Sequence, residues 1–69
     1  MTEYYLKLNE NGDIPLDFNP AYFAGFNVYH RLLEVETSDE ALTYLTREEA
    51  ESVAEQMIAN GFSVDIETK

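Results

Sequence analysis

The sequence predicts a small α+β domain of two layers. Three or four strands form a mainly antiparallel sheet, and one amphipathic helix, over about residues 47–60, packs on one face. Three stretches carry that expectation. Thr46 precedes Glu49 by three residues, the spacing of a capping box: the hydroxyl accepts from the Glu49 amide, and the carboxylate reaches back to the Thr46 amide. Ala50, Val53, Ala54, Met57 and Ile58 then recur on one apolar stripe, and Asn60-Gly61 supplies the left-handed residue that ends a helix. Glu48, Glu51 and Glu55 fall on the opposite side, facing water. After the glycine, Phe62, Val64 and Ile66 alternate with Ser63, Asp65 and Glu67, the period of a half-buried strand. At the other end, Glu3–Leu8 reads as a strand with Tyr4, Leu6 and Leu8 on one face.

The elements between these are set by turn chemistry. Asn9–Asp13 reads as a turn, since Asn-Gly tolerates positive φ, and Ile14–Phe18 as a returning strand whose Pro15 belongs at an edge. Residues 19–37 admit two patterns. Tyr22, Phe26, Tyr29 and Leu33 have helical spacing, whereas Gly25, Asn27 and Val28 are poor choices inside a helix. The preferred division is one helical turn over Pro20–Ala24, ended by Gly25, followed by a strand Phe26–Glu36 with Tyr29, Leu33 and Val35 facing the core. Thr37–Glu40 is a polar connection and Ala41–Leu45 a short strand. The strand–helix–strand unit at Leu42–Ile66 fits a crossover whose strands are parallel.

A chain of 69 residues without a long linker or repeat is read as one domain, 1–69. Cysteine is absent, which removes disulfides and thiolate metal sites. No apolar run is long enough for a membrane helix, and the first residues lack a signal peptide's basic and apolar regions, so a cytoplasmic location is expected. His30 is the only histidine and no serine sits in a nucleophile elbow, so no catalytic residue is assigned and the chain is not expected to be an enzyme. Asn9, Asn11 and Gly12 share the middle of a calcium loop, but Lys7 and Phe18 stand where its first and twelfth ligands belong. Neither a metal nor a cofactor is expected.

Charge is the distinctive quantity. Fourteen Asp and Glu against four Lys and Arg give a formal net charge of −10. That exceeds the magnitude of about 2–8 typical of a well-behaved small domain. Lys7, Arg31, Arg47 and Lys69 are too scattered to neutralise phosphates, which excludes direct nucleic-acid binding, and the negative surface repels anionic membrane. Eight acids lie between positions 34 and 55: Glu34, Glu36, Asp39, Glu40, Glu48, Glu49, Glu51 and Glu55. Solubility alone accounts for some of them, and the helix dipole favours those in the first turn. A helical row at i, i+3, i+7 also spaces carboxylates by about 5 Å per step and about 10–11 Å overall, comparable with phosphates at about 3.4 Å of rise per nucleotide.

The run Thr46-Arg-Glu-Glu-Ala-Glu-Ser-Val-Ala54, followed by Gly61-Phe-Ser-Val-Asp-Ile66, resembles a strand–helix–glycine–strand unit of small phage and mobile-element proteins. The resemblance covers the C-terminal third and implies a setting, host takeover or anti-defence, without transferring a catalytic residue. The expected function is that of the acidic anti-restriction and anti-CRISPR class: inhibition of a basic, nucleic-acid-handling host enzyme or complex by occupying its DNA or RNA site. Glu34, Glu36, Asp39, Glu40, Glu48, Glu51 and Glu55 would supply the charge, with Tyr44 or Tyr5 as an anchor. The alternative is a structural or regulatory interaction module, monomeric or homodimeric through a sheet edge, whose acidity serves only solubility.

Overall fold

A computed structural model describes residues 2–10 and 15–69. It shows a small α+β domain, a curled antiparallel sheet with one helix packed on it. In chain order the elements are β1 (Tyr4–Asn9), β2 (Ala21–Phe26), β3 (Leu32–Val35), a 3-10 turn at Ser38–Glu40, β4 (Thr43–Tyr44), α1 (Arg47–Ala59) and β5 (Ser63–Thr68). Strand β1 is paired on both edges. One edge lies antiparallel to β5 throughout, from Tyr4 opposite Thr68 to Asn9 opposite Ser63. The other is divided between β4, with Tyr4 opposite Tyr44, and β2, with Leu8 opposite Ala21. Strand β3 extends the sheet beyond β2. Both β4 and β5 therefore run antiparallel to β1 and parallel to each other, with β1 between them. The crossover expected for Leu42–Ile66 is present, but it spans a strand.

Alternation along β1 decides the layers. Tyr4, Leu6 and Leu8 face α1, where Leu6, Leu8, Ala21, Phe23, Ala50, Ala54 and Met57 form the buried cluster. Val64 and Ile66 pack at its margin from β5. The helical stripe of Ala50, Val53, Ala54 and Met57 agrees with the sequence, but Ile58 is 57% exposed. It lies about 80° around the helix from Ala50, beyond the width of the contact with the sheet.

Both helix ends are closed by their sequence. The Thr46 hydroxyl accepts from the Glu49 amide at 3.2 Å as expected. The return bond differs, because the Glu49 carboxylate accepts from the Thr46 hydroxyl at 3.2 Å. At the C-terminus Gly61 adopts φ +95, the Phe62 amide donates to the Met57 carbonyl, and the Gly61 amide donates to that of Ile58. This double closure is a Schellman motif, and it lays Phe62 beside Met57.

The central region departs most from the sequence reading. The turn at Asn11-Gly12 lies outside the described residues, as does Ile14. Residues 15–18 are irregular, with bends from 17 onward, and not a strand. The Asn19–Pro20 peptide is cis and leads directly into β2, so the helical turn expected over Pro20–Ala24 is absent. The strand expected over Phe26–Glu36 is instead the end of β2, a hairpin tip at 27–31 and β3, and of the residues expected in the core Tyr29 is 78% and Leu33 40% exposed. The free edge of β1 accounts for this. Ala21 and Phe23 alternate correctly to extend the core face, and pairing with β1 satisfies backbone groups that a lone helical turn would leave open.

Gly25 completes the hairpin. Phe23 pairs with Glu34 and Phe26 with Leu32, so β2 spends one more residue than β3 between those pairs. That bulge sits at Ala24-Gly25, where Gly25 takes φ +100. In a regular strand residues 23 and 26 would face opposite ways. The extra residue puts both on the helix side, where their rings meet edge to face at 5.3 Å.

Gly61→Ala should cost about 1–2 kcal/mol, because the left-handed C′ position penalises a Cβ, and Thr46→Ala about 1 kcal/mol through loss of the cap. A chain of this length holds only about 3–10 kcal/mol in total. Both losses should appear as lower urea midpoints at unchanged slope. A Gly61→Ala protein as stable as the wild type would contradict the closure described here.

Candidate functional site

The capped helix is rigid enough to hold side chains in register, and its outer face carries the acids. Glu48, Glu51 and Glu55 are all exposed on α1 and share one row. Arg47 pairs with Glu51 at 2.9 Å, with both side chains at least half in water, a contact worth about 0.3–0.5 kcal/mol. No basic residue occupies the last turn. The positive end of the helix dipole favours Glu48 and Glu49, but Glu55 lies beyond its reach. Tyr44 enters the helix from β4, half-buried beside Glu49. Burial first, and the Glu49 charge second, raise its hydroxyl pKa above the usual 10.0.

The remaining sequence-predicted site residues do not join this row. Glu34 is half-buried on β3, and both its carboxylate oxygens accept from the Asp17 amide, at 3.2 and 3.3 Å, tying the 15–20 segment to the hairpin. Glu36 is exposed just past β3. Asp39 and Glu40 belong to the 3-10 turn, which lies on the sheet face away from α1. Lys69, at the end of β5, fixes the turn there: its ammonium donates to the Ser38 carbonyl at 3.4 Å and stands 3.8 Å from Asp39. Glu40 accepts from the Thr37 hydroxyl at 3.3 Å. The sheet thus separates Asp39 and Glu40 from Glu48, Glu51 and Glu55, and the eight acids are not one surface.

Tyr5 is not an exposed anchor. It is 9% exposed, packed edge-on against Tyr22 at 5.6 Å, and its hydroxyl donates to Glu67 at 2.9 Å. Because it points away from α1, the sequence suggested an exposed anchor. The second sheet face is itself covered by Tyr22 and the Ser38–Glu40 segment, so the ring is not offered to a partner. Burial, then the hydrogen bond and charge of Glu67, raise the Tyr5 pKa.

One feature was missed from the sequence. Between the hairpin and the C-terminal half of α1 lies a groove of about 430 Å³, floored by Phe26, Leu32, Val53, Met57 and Phe62. His30, Gln56 and Asn60 supply its polar rim. His30 is not the strand residue expected; it sits at φ +60 in the hairpin tip, with its amide donating to the Asn27 carbonyl. The signals were Gly25 and Asn27, residues unsuited to a helix but suited to a bulge and a side-chain-capped turn. Among the described residues no three His, Asp or Glu side chains converge as a metal site requires, and no helix is long and apolar enough to cross a membrane.

No protein-family model matches the chain, and no curated protein or solved structure shows significant similarity to it.

The tyrosines generate a pH prediction. A phenol whose folded pKa is raised holds its proton more tightly in the folded state. Its contribution is complete below the unfolded value of 10.0 and is lost as pH rises through the folded one. Stability should therefore decline above about pH 10. Tyr5→Phe should cost about 1 kcal/mol at neutral pH by removing the Glu67 bond and should flatten the alkaline decline. Urea midpoints at pH 8 and pH 11 for both proteins check this; equal alkaline losses in the two would assign the decline elsewhere.

Proposed function

We propose that the chain is a non-enzymatic acidic protein that inhibits a nucleic-acid-handling protein by laying α1 along its basic DNA- or RNA-binding surface. The observation carrying this reading is the exposed row Glu48, Glu51 and Glu55 on a helix capped at both ends. Its span of about 10–11 Å approximates three phosphate steps of one strand. Fixed charges on a rigid scaffold lose little conformational entropy on binding, which flexible acidic tails cannot match. Tyr44, next to Glu49, is the aromatic at the N-terminal end of the row. Glu36, Asp39 and Glu40 act at longer range, adding to the field that steers encounter rather than to contact. The phage-like setting implied by the Thr46–Ile66 run is consistent with a host nucleic-acid enzyme or complex as the target. No membrane or direct nucleic-acid partner is proposed.

The alternative, an interaction module whose acidity is only solubilising, draws its support from the carboxylate-free groove beside the hairpin. Salt distinguishes the two, since an acidic contact weakens when screened and an apolar one does not.

The test immobilises the full chain and challenges it with bacterial lysate at low and high salt, with and without competing duplex DNA. Retention of a nucleic-acid enzyme that either salt or DNA releases is expected. The double variant Glu51→Lys/Glu55→Lys should bind that enzyme at least about tenfold more weakly, with its thermal melt nearly unchanged because both side chains are exposed. Equal affinity of the double variant, or partners indifferent to salt and DNA, would overturn the reading.

A further inference from the structure

From Phe18 to Leu33 the chain carries sixteen consecutive residues without Asp or Glu, although acids make up fourteen of its 69 positions. This stretch builds β2, the hairpin tip and the start of β3. The tip is a fixed structure. The Asn27 side-chain oxygen accepts from the amides of Tyr29 and Arg31, at 2.9 and 3.0 Å, and the Asn27 amide donates to the Arg31 carbonyl at 3.0 Å. So held, the tip pushes Val28 and Tyr29 into solvent, 86% and 78% exposed. Immediately beside it lies the apolar groove, which His30 and Phe26 of the same hairpin line and which contains no carboxylate.

We propose that this surface is a self-association site, in which the Val28–Tyr29 tip of one copy enters the groove of a second copy and receives that copy's tip in return. A two-fold contact needs a projection and a matching recess side by side on one surface, and the hairpin provides both. Charge restricts where a second copy can dock. Two chains of −10 repel wherever carboxylates meet, and the edge strands β5 and β3 carry them: Asp65 and Glu67 on β5, Glu34 on β3 with Glu36 just beyond. Edge-to-edge pairing would set like charges opposite one another. The tip and groove instead offer no carboxylate, and Arg31 is the tip's formal charge. On α1 the groove-lining Val53, Gln56, Met57 and Asn60 centre about 150° around the axis from the centre of the row Glu48, Glu51 and Glu55, so the acidic row stays free in such a dimer.

Sedimentation equilibrium of the full chain from micromolar to millimolar concentration tests the proposal. A monomer–dimer equilibrium is expected, and it should tighten between about 0.1 M and about 1 M salt, as the screening length falls from about 10 to about 3 Å and repulsion between copies is suppressed. Val28→Asp and Tyr29→Asp should each weaken dimerisation at least about tenfold. Because both side chains point into water, their circular dichroism and melting curves should match the wild type. Gln56→Glu, which places a charge on the groove's rim, should weaken it in the same direction, while Glu51→Lys/Glu55→Lys should not. A monomer at every concentration and salt would overturn the proposal. So would a dimer unaffected by the tip variants, which would place the contact at a sheet edge, or tip variants that lose only a different partner.

Discussion

Burial of β1 on both faces and pairing on both edges is the constraint from which the rest of the structure follows. Leu6 is wholly inaccessible and Leu8 nearly so, and Tyr5, just before Leu6, is buried on the opposite side. A strand with apolar residues on both faces requires two covers. The helix supplies one; Tyr22 and the Ser38–Glu40 segment supply the other. The pairing follows from the same requirement, since interior backbone groups must find partners. Strand β5 satisfies one edge alone, whereas the other is completed by β4 and β2 end to end. The Leu42 amide, donating to the Phe23 carbonyl at 3.0 Å, joins those two segments.

That shared edge explains why the C-terminal half was legible in the sequence and the middle was not. The Thr46 cap, the Ala50–Met57 stripe, Gly61 and the alternation through Ile66 are local signals, each needing only a few neighbours to be interpreted. Residues 19–37 lack such independence. Tyr22, Phe26, Tyr29 and Leu33 do have helical spacing, and only the unsatisfied edge of β1 makes Ala21–Phe26 a strand. The bulge at Gly25 compounds the difficulty by breaking the two-residue period that would have marked the strand. The candidate site divides the same way. The helical row Glu48, Glu51 and Glu55 is a local inference. Whether Glu34 and Asp39 share its surface, or whether Tyr5 is exposed, depends on which sheet face each occupies, and register is not written in a short window.

The bulge also has a functional consequence. By turning Phe26 to the same side as Phe23, it leaves the outer ring above Leu32 and Met57, where a regular strand would have directed it away. The groove is the space left between that ring and α1. Its far wall is Phe62, brought there by the Schellman closure at Gly61. Two left-handed glycines, Gly25 and Gly61, thus shape one apolar recess whose two walls, residues 26–32 and 53–62, come from distant parts of the chain.

The row Glu48, Glu51 and Glu55 and the apolar groove lie on different sides of α1, and the separation has physical weight. A carboxylate beside the groove would repel a second acidic surface and would be costly to desolvate beneath an apolar tip. An exposed leucine or phenylalanine within the acidic row would reward aggregation over selective docking. Ile58, the fourth position of that row after Glu55, is the one departure, and it lies at the helix's C-terminal end, away from the carboxylate-rich first turns. The two proposed contacts would therefore answer salt in opposite directions: one through the row would weaken as charge is screened, and one through the hairpin would strengthen. For a chain of −10, this opposition would separate attraction to a proposed basic partner from repulsion of its own copies, and it would arise from side-chain placement alone, without requiring α1 to move.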